Sequence, residues 1–353
     1  MRLDATQPPS PRGGWSQAVI ELADARIVPP QQIDGRILQT AVFDRTGKDV
    51  AQAATWRREE RITLPPENLP QAAGELAGKW LWGGVLYHHF GHFQMQSLAR
   101  LWALNRFEKG ALEGVLFVTR GQPELLGFEA EYLRLLGVDL PVKVLTQVCD
   151  VAHLVVPGQG FGLGEIARGT RVFRRFIANN FAQEIEPEGP EKLFISRALQ
   201  PLDKGGFVGE ELLDARMEEA GYCVFWPEQH SLSVQIARYK AAKRVVALDG
   251  SALHLFAMVA RPEQKAAMIL RRARVASRAL RWHMTSFMKA KPLAINALAE
   301  DADTVVGKKR EISELDFELI GRLLKRHGYI ERSQDWGSLS AAELALISAD
   351  HGA

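Results

Sequence analysis

Two short polar stretches carry the residue types that could do chemistry in this chain. In the first, the strand-like run RVVAL (residues 244–248) stops at Asp249, Gly250 and Ser251, after which an apolar helical pattern containing His254 begins. A glycine at such a hinge lets backbone approach a ligand closely. The helix behind it offers unpaired N–H groups and a positive dipole end to an anion, most often a phosphate. The same residues also fit a plain helix start, with Asp249 or Ser251 as cap and Gly250 as the turn. The second stretch, HHFGHFQMQ, places His88, His89 and His92 within five residues. Histidine is the side chain whose ordinary pKa suits proton transfer near neutrality. A shared metal is the weaker reading of this trio, because adjacent histidines seldom both ligate and no Cys or carboxylate stands at ligand spacing.

Elements that would position these residues alternate along the chain. Strand candidates at residues 79–86, 115–119, 142–145 and 151–156 alternate with helical patterns at 93–107, 124–136 and 165–181. The stretch EIEPEGPE (184–191), with two prolines, a glycine and four acids, reads as a linker. Beyond it the strands KLFIS, CVF, RVVAL and AAMIL are separated by helical patterns of about ten residues, the rhythm of parallel βαβ units. The expectation is an α/β protein with an N-terminal domain over 1–183, a second α/β domain over 192–290 and a helical tail over 291–353, including helices at 311–327 and 340–348. Open parallel sheets bind ligands beyond the carboxyl ends of their strands, and DGSALH lies at such an end.

Other features narrow the function classes. The 353 residues carry a net charge of only +2, so nothing pulls the whole chain toward nucleic acid. The loop GQGFGLG (158–164) fits neither the dinucleotide fingerprint nor the phosphate-binding loop of nucleotidases; it reads as a flexible wall of a cleft or an ordinary turn. Arg271, Arg272, Arg274, Arg278 and Arg281, near Leu280, Trp282, Met284 and Phe287, form either a solvated face or a patch for anionic lipid headgroups. Two cysteines, no signal-peptide pattern at the N-terminus and no apolar run of about 20 residues lead to the expectation of a cytoplasmic protein.

The order of the motifs adds a resemblance. LFISR, ending in Ser196 and Arg197, is followed by Pro227 and Glu228, then Gln235, then the glycine turn of Gly250. Upstream, FGHFQMQSLARLW contains His92 and the pair Arg100 and Leu101. Together these resemble glycosyltransferase family 61, over roughly residues 89–258. The resemblance implies a GT-B architecture, two Rossmann-like domains facing across a cleft. It implies a nucleotide-sugar donor in the second domain, a glycan or lipid-linked acceptor in the first, inversion at the anomeric carbon, no metal ion or other cofactor, and a place in surface polysaccharide synthesis. Carried over residue by residue, it makes His92 the first candidate for general base and Asp249 the second. Ser196, Arg197, Glu228, Gln235, Gly250, Ser251 and His254 become the donor-binding set. The chain departs from the pattern twice, with Gln96 at the carboxylate position of the N-terminal signature and Asp249 at the histidine of the glycine turn. Gln96 can orient a hydroxyl but cannot take its proton. Those departures also motivate a non-catalytic binding protein with a degenerate site. A two-domain nucleotide-sugar epimerase would use the same phosphate physics.

Overall fold

The computed structural model describes residues 3–200, 206–207, 209–270, 277–298, 312–313, 315–332 and 336–337. Its contacts divide into two compact units, Met1–Gln183 and Glu184–Ala353.

The first unit is built on a six-stranded sheet of β1 (Val19–Val28), β2 (Ala41–Phe43), β3 (Gly74–Leu86), β4 (Gly114–Thr119), β5 (Val142–Leu145) and β6 (Cys149–Pro157), in the order β5-β4-β3-β6-β1-β2. The four strands β5, β4, β3 and β6 run parallel, and β1 and β2 complete the sheet antiparallel. Apolar side chains from β3, β4 and β6, among them Trp80, Trp82, Leu116, Val118, Leu154 and Val156, make its core. Because β4 and β5 lie to one side of β3 and β6 to the other, the strand order reverses between β3 and β6. Ligands of open α/β sheets sit at such a reversal.

Two helices expected in this unit are broken. The pattern at 93–107 forms a π turn, Phe93–Ser97, and a separate 3-10 stretch, Leu101–Arg106. The wide turn has a visible cause: the Ser97 hydroxyl donates to Val85 O at 3.1 Å and accepts from Tyr87 N at 3.0 Å, so the turn is tied to the end of β3. Such turns are frequent at functional sites. The pattern at 165–181 stops at Gly169 (φ 64°), and α2 (Arg171–Asn180) starts afresh with the Thr170 hydroxyl accepting from Phe173 N. The remaining helix of the unit, α1, spans Gly127–Leu135.

The glycine-rich loop after β6 is not a flexible wall. Residues 157–162 are buried. A Cβ on Gly158 would fall 1.8 Å from the Trp15 carbonyl oxygen, and one on Gly160 would fall 2.8 Å from the Trp102 indole nitrogen. Glycine is required there for close packing.

Beneath this loop lies Arg100, which is 2% exposed. Its guanidinium donates to three backbone carbonyls, Gln52 O at 2.9 Å, Ala54 O at 2.6 Å and Pro157 O. Burial without a counter-charge lowers its pKa to about 9. Replacing it by leucine keeps apolar volume but strands three carbonyl oxygens. Arg100→Leu is expected to lower the unfolding free energy by roughly 3 kcal/mol or more, since each buried carbonyl left without a donor costs about 1–3 kcal/mol. Denaturant titration measures this, and a loss below about 1 kcal/mol would show the clamp to be dispensable.

The second unit has a five-stranded parallel sheet of β7 (Lys192–Ile195), β8 (Cys223–Phe225), β9 (Arg244–Leu248), β10 (Lys265–Ile269) and β11 (Leu293–Ile295), ordered β8-β7-β9-β10-β11. The helices are α3 (Glu210–Glu219), α4 (Leu232–Ala241), α5 (Ala252–Val259), α6 (Arg278–Met288) and α7 (Phe317–Arg326). β7, β9 and β10 each begin on a cation and continue as buried apolar residues, as parallel strands covered on both faces should. β11 corrects the expectation of a purely helical tail: residues 293–295 pair with β10 as a fifth strand. The expected helix at 340–348 and Arg271, Arg272 and Arg274 lie outside the described residues. No helix among the described residues is long and apolar enough to cross a membrane.

Candidate functional site

In the second unit the order β8-β7-β9 places the first strand between the next two, so the topology reverses between β7 and β9. Ser196 and Arg197 leave the carboxyl end of β7, and Asp249, Gly250 and Ser251 leave that of β9. The Arg197 guanidinium lies on the glycine: Nη1 would be 3.1 Å from a Cβ built on Gly250. Ser251 is the N-cap residue of α5, but its side chain makes no cap bond and its backbone is already helical. The turn thus presents a guanidinium and the start of a helix on one side of the sheet, a combination suited to a phosphate.

The other residues expected here fall into three groups. Asp249 has no solvent exposure, and its carboxylate accepts from the Ser277 hydroxyl while its N–H donates to Ile269 O at 2.9 Å. It braces the turn from inside. Ser196 is similarly committed, donating to Asp214 Oδ2 at 2.9 Å and accepting from Ala198 N at 3.1 Å. Gln235 gives its amide to Pro227 O at 2.8 Å and His230 O at 3.0 Å, fixing the turn that carries the exposed Glu228. His254 faces His283, with their Nδ1 atoms 2.8 Å apart, so one ring nitrogen donates and the other accepts. Burial, and next the neighbouring His254, hold the pKa of His283 well below the usual histidine value.

Asp214 was not foreseen. It sits on α3 and receives both the Ser196 hydroxyl and, at 3.0 Å, the Trp226 indole N–H on Oδ2, while its buried Oδ1 has no hydrogen-bond partner. Burial raises its pKa to about 6 against those two donors. An isolated acid on a helix gives no sequence signal for this, because the partners come from two different strand ends.

In the first unit the segment after β3 carries the histidines. His88 Nδ1 lies 3.0 Å from Glu129 Oε1 and Nε2 lies 2.8 Å from Gln122 O, so both ring nitrogens are engaged. His92 packs its ring 5.8 Å from that of Tyr87 and 5.1 Å from that of His89. Its pKa is lowered to about 4, first by burial and then by Arg57, the neighbouring His89 and Arg120; the Gln96 side chain offsets this only in part. The imidazole is neutral at physiological pH and can accept a proton. Among the described residues no three His, Cys, Asp or Glu side chains are arranged to hold a metal ion.

Arg57 is the functional residue that sequence reasoning missed here. It comes from the hairpin of Trp56–Arg57 and Glu60–Arg61, which Gln159 of the glycine-rich loop grips by both Trp56 N (2.8 Å) and Trp56 O (2.9 Å). Its Nη2 donates to Gln96 Oε1 at 2.8 Å, and its guanidinium carbon lies 5.8 Å from the Tyr87 ring centroid.

Both units are thus α/β, the first on a mixed sheet and the second on a parallel one, with polar side chains gathered at a reversal of strand order. The chain belongs to the glycosyltransferase 61 family, whose model matches residues 90–267, half of the chain, and it is a glycosyltransferase. The match starts at the turn that carries His92 and runs through β9 and its glycine turn into β10. No curated protein matches the sequence.

Two titrations follow, with opposite signs. His92 binds its proton less readily folded than unfolded, so the stability it contributes is full above the ordinary histidine value of about 6.5 and is lost as pH falls through 4. NMR of the imidazole is expected to show a midpoint near 4, and a midpoint above about 6 would contradict its buried setting. Asp214 binds its proton more readily folded than unfolded, so its contribution is full below 3.8 and is lost as pH rises through 6. Asp214→Asn, which keeps an acceptor for Ser196 and Trp226, is expected to raise stability at pH 8 and not near pH 4, in thermal melts at the two pH values.

Proposed function

We propose that the chain moves a sugar from a nucleotide-sugar donor, bound by the second unit, to a glycan or lipid-linked acceptor at the first unit. The proposal includes the GT-B arrangement, inversion at the anomeric carbon and the independence from metal ions expected from the sequence. The observation that carries it is the contact of Arg197 with Gly250 at the strand reversal of the second unit. The placement of surface polysaccharide synthesis on the cytoplasmic side is carried over from the family and the composition alone.

The chemistry divides between the units. An acceptor hydroxyl oxygen attacks the anomeric carbon while the bond from that carbon to the phosphate oxygen breaks. The nucleoside diphosphate leaves with the bonding pair, and Arg197 with the first N–H groups of α5 stabilises the charge that develops. The hydroxyl proton passes to the neutral His92 imidazole. Asp249, enclosed and bound to Ser277, supports the turn in this scheme and does not take the proton.

Calorimetric titration with UDP, GDP, CDP and CMP tests the donor site. One nucleoside diphosphate is expected to bind selectively, and Gly250→Val, whose new side chain meets Arg197, should abolish that binding. Arg197→Ala should weaken the diphosphate by about tenfold or more and leave the nucleoside little changed. His92→Ala should stop sugar transfer while nucleotide binding persists. Equal nucleotide binding by the folded Gly250→Val protein would remove the phosphate from this turn.

A further inference from the structure

The first unit's site is cationic, and its cations have no counter-charge of their own. Arg57 is half-buried and has no ion pair among the described residues; its Nη2 donates to the neutral Gln96 amide oxygen, its buried Nε has no hydrogen-bond partner there, and its other close neighbour is the Tyr87 ring. Arg120 follows directly from the carboxyl end of β4, whose Thr119 is in register with Leu86 at the end of β3, so it stands beside the Tyr87 to His92 segment; it too has no ion pair among the described residues. The nearby acids are spent elsewhere. Glu129 is engaged by His88 and by Leu126 N, and Glu60 pairs with Arg36. Two guanidinium charges act on both His92 and Tyr87, those of Arg57 and Arg120.

A half-buried guanidinium without a carboxylate is costly unless something supplies the charge. Gln96 marks the missing partner. A carboxylate at that position would sit at hydrogen-bond distance from Arg57 and neutralise it, whereas the amide leaves the positive charge for a ligand. The Gln96 Nε2 atom, buried and without a hydrogen-bond partner, is a further donor in the same place.

We propose that the acceptor recognised by the first unit is anionic, a sugar bearing a carboxylate or a phosphate beside the hydroxyl that is glycosylated, with Arg57 and Arg120 as its charge-reading residues. This rests on the transferase reading and names the substrate class of its acceptor site. The anion also serves the chemistry. Placed beside His92 it favours the imidazolium, so a base that is weak in the empty site strengthens when the correct acceptor binds.

The test uses the full chain and three probes, sodium glucuronate, inorganic phosphate and neutral methyl glucoside, each followed by the NMR titration of His92. Glucuronate, phosphate or both are expected to bind with an affinity that falls with added salt, and to raise the His92 midpoint by about one pH unit or more. The glucoside is expected to do neither. A response to glucuronate alone identifies a carboxylated sugar, and one to phosphate alone a phosphorylated one. Gln96→Glu and Arg57→Gln should each weaken the anion by about tenfold or more in a folded protein, the first by filling the site from within and the second by removing the cation. The inference is overturned if neither anion moves the midpoint, if the glucoside binds as well as glucuronate, or if both folded variants bind the anion unchanged. Nucleotide binding at Gly250 is measured separately. Its loss with anion binding intact would defeat the transferase scheme alone, and the converse would defeat only the anionic acceptor.

Discussion

A guanidinium with no counter-charge, sealed beneath the first unit's sheet, holds together the parts on which its site depends. Arg100 reaches carbonyls at Gln52, Ala54 and Pro157, and so ties the chain ahead of the Trp56–Arg57 hairpin to the end of β6. Its own segment is the stretch that carries His92 and Gln96. Three carbonyls that would otherwise be buried without donors are satisfied by one side chain, and the cation in turn has no other way to recover its lost hydration. The glycines at 158 and 160 follow from this crowding, since the loop must pass against Trp15 and Trp102 to close over the clamp. Gln159 then reaches from the same loop to Trp56 and fixes the hairpin that presents Arg57. The family signature of arginine and leucine in the first unit thus acts on the site from beneath it.

The second unit solves the same problem with a buried anion. Asp214 gathers the Ser196 hydroxyl and the Trp226 indole, residues at the ends of β7 and β8, and thereby ties together the two strand exits that lie to one side of the glycine turn after β9. Its raised pKa is the cost of burying the carboxylate with donors on one oxygen only. Asp249 performs a parallel service for the glycine turn through Ser277. In each unit a buried charged group holds the backbone beside a candidate site residue, and such bracing is how a site on strand exits gains precision.

What the sequence revealed follows the strength of its periodic signals. β7, β9 and β10 are short apolar runs between clear helical patterns, and parallel pairing buries them on both faces, so their type and order were legible. β1 was not, because VIELADARIV mixes exposed and buried residues, includes Asp24 at φ 52° and pairs antiparallel with a strand far ahead in the chain. The helical pattern at 93–107 did not hold its geometry, since Ser97 reaches back to β3 and widens the turn. The places of His92, Arg197 and Gly250 beyond strand ends were legible because strand exits and glycine turns have local signatures. Arg57, Asp214 and His283 were not, for each acquires its role only from partners that folding brings from distant segments.

The two departures from the family pattern therefore differ in kind. Asp249 is enclosed, and its charge meets the Ser277 hydroxyl within the turn, so it alters how the loop is braced and little of what a ligand would meet. Gln96 stands where its character decides the charge of the surface around it, because the cation Arg57 donates to its amide oxygen. A single amide in place of a carboxylate leaves the half-buried Arg57 without an ion pair among the described residues, adds the field of Arg57 and the exposed Arg120 to the burial that already lowers the His92 pKa, and so favours a negative ligand. On this account the glutamine does not mark a decayed enzyme. It moves the counter-charge of the site from the protein to the acceptor, so that the acceptor completes the electrostatics under which the base can act.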